Sequence, residues 1–170
     1  MVTSFTAHQR KFLRFAHLIF AALWGGSAVS MVLIVCFFQP TTAAELKIYS
    51  EILFYVELFV VGPSAGGCLL TGFLYARYTP WGFFKHRWII GKWVINIGYI
   101  AFGVFWFYPS LEFASLYAQS LPADFPLDPG SLQINTYHFT QNFSTILLFT
   151  LAVALSVFKP WGKKSRKAVS

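Results

Sequence analysis

Four stretches of this chain are each long and apolar enough to cross a lipid bilayer as a helix. They cover about residues 12–38, 52–76, 88–108 and 139–158. A crossing needs roughly 20 predominantly apolar residues, and 20 phenylalanines among 170 residues are more than a soluble core would bury. We therefore predict an all-α protein, a polytopic membrane four-helix bundle in which residues 1–170 form a single transmembrane domain.

Basic residues predict the orientation of this bundle. Arg10 and Lys11 precede the first predicted helix, Lys85 lies between the second and third, and Lys163 and Lys164 follow the fourth. Because an excess of lysine and arginine marks cytoplasmic segments, we predict a multi-pass protein of the bacterial inner (plasma) membrane with both termini cytoplasmic. The net charge of +7 then reflects contact with anionic headgroups, so we expect the lipid bilayer, and no nucleic acid, as a partner.

The connection over residues 109–137 is the only long one. We predict that it is an outer loop that covers the mouth of the bundle, because Pro109 and the turn-rich segment LPADFPLDPGS interrupt regular structure. Its first part is compatible with an interfacial helix, with Leu111, Leu116 and Tyr117 directed into lipid. Pro63 predicts a kink within the second helix.

A polar face within the third predicted helix identifies a first group of candidate site residues. Lys92, Asn96 and Tyr99 are spaced by four and three residues and therefore share one face. His17 in the first helix lies at a similar depth from the cytoplasmic side. One interpretation is that Lys92 extends to the headgroups as an isolated surface residue. The other is that these four residues line one inward, ligand-binding pocket, since Asn96 and Tyr99 continue the polar face deeper into the bundle.

A second group of polar residues lies near the outer side. An acid within a membrane span is costly and usually faces a partner or water. Glu57 and His138 occupy similar heights, so we predict that they form a pair in the same ligand-binding bundle. The alternative is a simple interfacial acid.

Small residues are concentrated in the first two helices, at Gly25, Gly26, Gly66 and Gly67. Such residues let neighbouring helices approach closely. The sequence leaves two interpretations open, a packing seam and a space for a flat ligand.

Two segments resemble a known group of membrane proteins. They are AHLIFAALWGGSAVS, in which Trp-Gly-Gly begins seven residues after His17, and TPWGFFKHRWIIGKW after the second helix. They are similar to the copper-resistance D-like proteins and to a neighbouring set of small bacterial four-helix integral membrane proteins. The resemblance implies a helical inner-membrane bundle that handles copper or haem. The chain has two methionines, Met1 and Met31, and its two cysteines are not clustered as a Cu(I) path would require.

Three classes of function agree with these observations. The first is an accessory or ligand-binding protein with a homo-oligomeric or membrane-protein partner. The second is a b-type haem protein, with His17 and His86 as axial ligands. The third is a carrier of a small ion or proton that uses Glu57 and Lys92 as intramembrane charges. The sequence contains no catalytic motif, phosphate loop or metal-spaced Cys/His cluster, so we do not predict an enzyme.

Overall fold

Four long helices make up the part of the protein that the structure describes. The computed structural model describes residues 5–128 and 133–160, with side chains except those of residues 133–137. The helices are α1 (Ala7–Phe37), α2 (Ala43–Tyr78), α3 (Arg87–Gln119) and α4 (Gln133–Phe158). Each has a segment long and apolar enough to cross a membrane by length and composition. The prediction of an all-α, four-helix architecture is therefore confirmed.

The outer surface of the bundle is apolar. The helix α1 buries only a narrow stripe of its side chains. That stripe has helical spacing and consists of Trp24, Ala28, Met31 and Val35. Large apolar side chains on the opposite surfaces are exposed, among them Phe37 at 84% and Phe105 at 78%. Soluble monomers rarely expose apolar surface on this scale, so lipid is the solvent that this surface suits.

Both α2 and α3 contain one π-turn that is followed by a proline. In α2 the π-turn is Glu57–Val61 and precedes Pro63, and in α3 it is Gly103–Phe107 and precedes Pro109. The backbone N–H after each turn bonds to the carbonyl five residues earlier. A proline lacks an N–H and its ring crowds the preceding turn of an α-helix. The wider π-turn accommodates this crowding, and each helix continues past its proline.

The continuation of α3 differs from the predicted outer loop over residues 109–137. The helix runs through Pro109 to Gln119 because the proline falls in the first turn after the π-turn, where its missing N–H is tolerated. Leu111 is fully buried rather than directed into lipid, whereas Leu116 and Tyr117 are exposed. The C-terminal third of α3 packs against the first half of α2, which begins at Ala43 and not near residue 52.

The segment after α3 returns over the beginning of α2. The Ala43 N–H donates to the Phe125 carbonyl at 3.1 Å, and the Leu127 N–H donates to the Thr41 carbonyl at 2.8 Å. The Thr42 side chain accepts from a further backbone N–H of the first turn. These contacts satisfy groups that a helix N-terminus leaves without intrahelical partners, so this segment fixes where α2 begins.

Two glycines make room for aromatic rings of neighbouring helices. A Cβ added at Gly67 would lie 2.5 Å from the Phe20 ring, and one at Gly25 would lie 2.6 Å from the Phe149 ring. At Gly66, by contrast, an added Cβ would meet nothing within 4 Å. The packing interpretation of the small residues therefore applies at Gly25 and Gly67.

Candidate functional site

A cavity of about 420 Å³ lies among all four helices at the end of the bundle where α1 begins. We call this end the basic end, because Arg10, Lys85 and Lys159 lie there. Aromatic side chains form much of the cavity wall, namely Trp24, Trp81, Trp88, Trp93 and Phe149. A concave, mainly apolar space with a few polar groups is typical of a small-molecule site.

The charged residues of this cavity are all cationic. Arg14, Lys92 and Lys159 line it, and no acidic residue is among its described lining residues. Lys159 lies over the Trp81 ring at 5.2 Å. Lys92 has no ion-pair partner within the described residues, where the single ion pair is at the other end of the bundle. An unpaired cation in an apolar surrounding is unfavourable, so this cavity favours an anionic guest.

The hydrogen bonds of His17 determine which of its nitrogens carries a proton. His17 Nδ1 lies 2.7 Å from Thr71 Oγ1. The single hydroxyl proton of Thr71 is directed to the Gly67 carbonyl at 2.6 Å, so the Thr71 oxygen accepts and Nδ1 donates. In neutral His17 the other nitrogen, Nε2, therefore keeps its lone pair. Because His17 lines the cavity, this lone pair is available to a ligand.

The predicted polar face of α3 divides between the cavity and a deeper site. Lys92 and Asn96 line the cavity together with His17. The Asn96 Nδ2 donates to the Ala65 carbonyl at 3.4 Å, whereas Oδ1 is buried and finds no partner among the described residues. A buried acceptor without a partner costs about 1–3 kcal/mol, and such a group marks a place for water or a ligand donor.

Tyr99 lies one turn deeper and connects the cavity wall to Glu57. Its ring packs against Trp24, with ring centroids 4.9 Å apart. Its hydroxyl donates to Glu57 Oε1 at 3.3 Å. Glu57 is 3% exposed, so this acid lies inside the bundle and not at an interface.

His138 is buried at the outer end of the same core. Its Nδ1 lies 3.3 Å from the Tyr49 hydroxyl, and its carbonyl accepts from Asn142 Nδ2 at 2.8 Å. Glu57 and His138 thus each have a different neighbouring tyrosine. A direct contact between the two stays a prediction.

His86 lies just before α3, at the basic end. Its ring contacts Trp81 and Trp88, with centroids 5.4 and 5.9 Å away. His17 lines the cavity, but His86 is not among the lining residues. Over the residues that the structure describes, no group of three or more His, Cys, Asp or Glu is placed to hold a metal ion.

The prediction from sequence missed that two segments at the basic end, the one after α2 and the one after α4, both contribute to the cavity. Trp81 follows α2 and Lys159 follows α4, and the two side chains stack on each other. The sequence does contain a signal for this, because the similar segments TPWG at 79–82 and KPWG at 159–162 follow the ends of the two helices.

No family model matches this chain, and no curated protein or solved structure is significantly similar to it. The resemblance to the copper-resistance D-like proteins stays a prediction. The fold and the cavity define a class, namely an all-helical protein with four helices suited to a membrane and a cationic cavity between them.

Proposed function

We propose that this chain is a multi-pass protein of the bacterial inner membrane, with cytoplasmic termini, that binds an amphipathic anion in its cavity. The ligand has an apolar body and a carboxylate or phosphate head. The observation that carries the proposal is the cavity itself, which joins aromatic walls to Arg14, Lys92 and Lys159 without a described acidic lining residue.

The distribution of charge supports the proposed orientation. At the basic end are Arg10, Lys11, Arg14, Arg77, Lys85, Arg87 and Lys159, and at the other end are Glu45, Glu51, Glu112, Asp124 and Asp128 with one basic residue, Lys47. Only the first end has the lysine and arginine excess of a cytoplasmic face. The cavity would then be in the cytoplasmic half of the membrane, where a ligand head can stay near the headgroups while its body lies among the helices.

Lys92 is the residue that we expect to contribute most to head recognition. It lines the cavity together with His17 and Asn96 and has no ion pair with any described residue. A hydrogen bond to a charged group contributes about 1.5–3 kcal/mol. Loss of such a bond corresponds to a decrease in affinity of at least about tenfold.

The experiment uses the tryptophans of the cavity as reporters. Four of the six tryptophans line it, so a brominated fatty acid that enters should quench the intrinsic fluorescence of the purified protein in neutral detergent. The brominated methyl ester has the same tail without the charge. We expect the acid to quench at lower concentrations than the ester. Lys92→Met should remove this preference, whereas Lys85→Met, at the same end but outside the cavity lining, should keep it.

The alternative for Lys92 makes the opposite prediction. If its ammonium extends to the headgroups as an isolated surface charge, Lys92→Met and Lys85→Met will behave alike. Equal quenching by the acid and its ester in the unmodified protein would contradict the proposed anion site.

A second candidate ligand of this cavity is haem b, which joins a flat apolar body to two carboxylates. His17 favours it, because a histidine that lines the cavity and has one ring nitrogen bonded to Thr71 keeps the other nitrogen free to act as an axial ligand. Titration of the purified protein with haemin should produce a sharp Soret band that is lost in His17→Gln. His86→Gln is the matched variant, and it loses the band only if His86 is the second axial ligand.

A further inference from the structure

We propose that Glu57 is a proton-binding site in the interior of the bundle, connected to the cavity through Tyr99. The inference does not depend on which ligand occupies the cavity. It rests on the burial of Glu57, on the absence of a cation around it among the described residues, and on a buried acceptor at the same level for which the described part of the chain offers no donor.

The surroundings of Glu57 contain phenols but no cation among the described residues. Tyr99 donates to its carboxyl group, and Tyr108 is the other titratable side chain that interacts with it. The buried face of α1 offers no titratable group. On α4, His138 lies about one turn further out, beside Phe107. A carboxylate without a counter-ion costs several kcal/mol in an apolar interior, and a bound proton removes that cost.

The carboxyl group of Glu57 lies where the two π-turns meet. Glu57 begins the π-turn of α2, and Gly103 begins that of α3. A Cβ added at Gly103 would lie 3.5 Å from Glu57 Oε1, an ordinary van der Waals distance, so the carboxyl group lies directly against the start of the α3 π-turn. Because π-turns often mark functional positions, their coincidence at an intramembrane acid supports a specific site.

Gln141 has a buried acceptor at about the level of Glu57. Gln141 is 7% exposed, and its Oε1 is buried without a partner among the described residues. Along α3 and α4, Tyr99 is beside Thr145, and Phe107 contacts His138. Halfway between these two contacts, Gly103 and Gln141 lie at one level. A carboxylic acid has an O–H donor and a carboxylate has none, so only the protonated form of Glu57 could donate to an acceptor at this level.

A line of polar groups connects Glu57 with the cavity. Tyr99 packs against Trp24, which lines the cavity and whose buried indole N–H finds no partner within the described residues. Asn96, with its unpartnered Oδ1, lies one turn below Tyr99. Tyr99 is therefore the group through which a proton from the cavity would reach Glu57. In the transfer step the Tyr99 hydroxyl gives its proton to the Glu57 carboxylate and takes one from a hydronium ion on the cavity side, which leaves neutral water, a protonated Glu57 and an uncharged Tyr99.

Infrared spectroscopy of the purified protein in lipid nanodiscs tests this site directly. The chain has six acidic residues, so the C=O band of one protonated carboxyl can be assigned. We expect this band at neutral pH in the unmodified protein, with a downshift in D₂O. It should disappear in Glu57→Gln and persist in Glu112→Gln, which alters an exposed acid of α3. Tyr99→Phe should shift it to higher wavenumber, because the carbonyl loses its donor.

A second measurement needs no variant. A hydrophobic carbodiimide adds to protonated carboxyl groups in apolar surroundings, so mass spectrometry of the labelled unmodified protein should find the adduct at Glu57 and not at Glu112. Absence of the infrared band, its persistence in Glu57→Gln, or labelling only at other acids would overturn the proposal. The brominated fatty acid assay does not report on Glu57, so either proposal can fail without the other.

Discussion

Gly67 is the position where one methyl group should test how α1 and α2 hold the cavity in shape. A Cβ at Gly67 would lie 2.5 Å from Cγ and Cδ1 of Phe20, and Cγ is the fixed end of that ring. Carbon atoms pack at about 3.5–4.0 Å, so Phe20 cannot relieve the contact by moving only the tip of its ring. The two helices must separate by roughly 1 Å, or Phe20 must change rotamer.

The magnitude follows from two opposing effects. Overpacking of a well-packed core costs typically about 1–3 kcal/mol, whereas replacing a helical glycine by alanine gains up to about 1 kcal/mol. Gly66→Ala is the matched control, because its new methyl group meets nothing within 4 Å. We expect Gly67→Ala to lower the free energy of unfolding by about 1–3 kcal/mol relative to Gly66→Ala, because the gain in helix propensity is the same in both variants and cancels.

The measurement is reversible unfolding in mixed micelles, with the brominated fatty acid assay run on the same samples. The site should also respond, because Gly67 lies one turn from Thr71, whose hydroxyl orients His17. A further Phe20→Ala change removes the ring and should cancel most of the difference between the two alanine variants, as a double-mutant cycle requires for contacting residues. Equal stabilities for Gly66→Ala and Gly67→Ala would refute this account of the helix contact.

Three further outcomes are expected. Asn96→Leu should leave thermal stability unchanged or slightly raised, because it removes a buried acceptor without a partner. The same variant should weaken quenching by the brominated fatty acid if the ligand or its water uses that acceptor. Tyr49→Phe should cost about 1 kcal/mol of unfolding free energy, because the Tyr49 hydroxyl lies 3.3 Å from the His138 ring, and a change below the error of the unfolding measurement would show that this contact contributes nothing. In a variant without the native cysteines, Asp124→Cys should react with an impermeant maleimide in intact cells and Lys85→Cys only after lysis, and the reverse pattern would invert the proposed orientation.

The number of helices could be predicted from the sequence because a membrane span is defined mainly by its length of apolar residues. The continuation of the third helix past residue 109 could not be predicted from the sequence. Pro109 is a stop signal in most helices, and the π-turn that lets α3 continue to Gln119 has no sequence signature of its own. The continuation of α3 after this π-turn can be recognised only from the packing of α3 against α2, which buries Leu111.

The spacing of Lys92, Asn96 and Tyr99 puts them on one helical face, yet the three residues do not all line the cavity. Seven residues of α-helix rise by about 10 Å, so Tyr99 extends beyond the cavity to Glu57 while Lys92 and Asn96 remain on the cavity wall. Which residue of α3 contacts Glu57 depends on how α2 is rotated about its own axis relative to α3. The π-turn that begins at Glu57 adds one residue to a helical turn and so changes this rotation. A sequence pattern with a regular period of 3.6 residues cannot predict that change.

Three buried polar groups in the interior of the bundle lack partners in the described part of the chain, namely Trp24 Nε1, Asn96 Oδ1 and Gln141 Oε1. Each costs about 1–3 kcal/mol relative to an apolar side chain of similar size, and a membrane bundle gains its stability from close apolar packing. Trp24 and Asn96 line the cavity, whereas Gln141 lies further along the bundle, at about the level of Glu57. Under the proposed functions these groups have a use, because water, a proton or a ligand head in the bundle would supply the partners that the packed side chains do not.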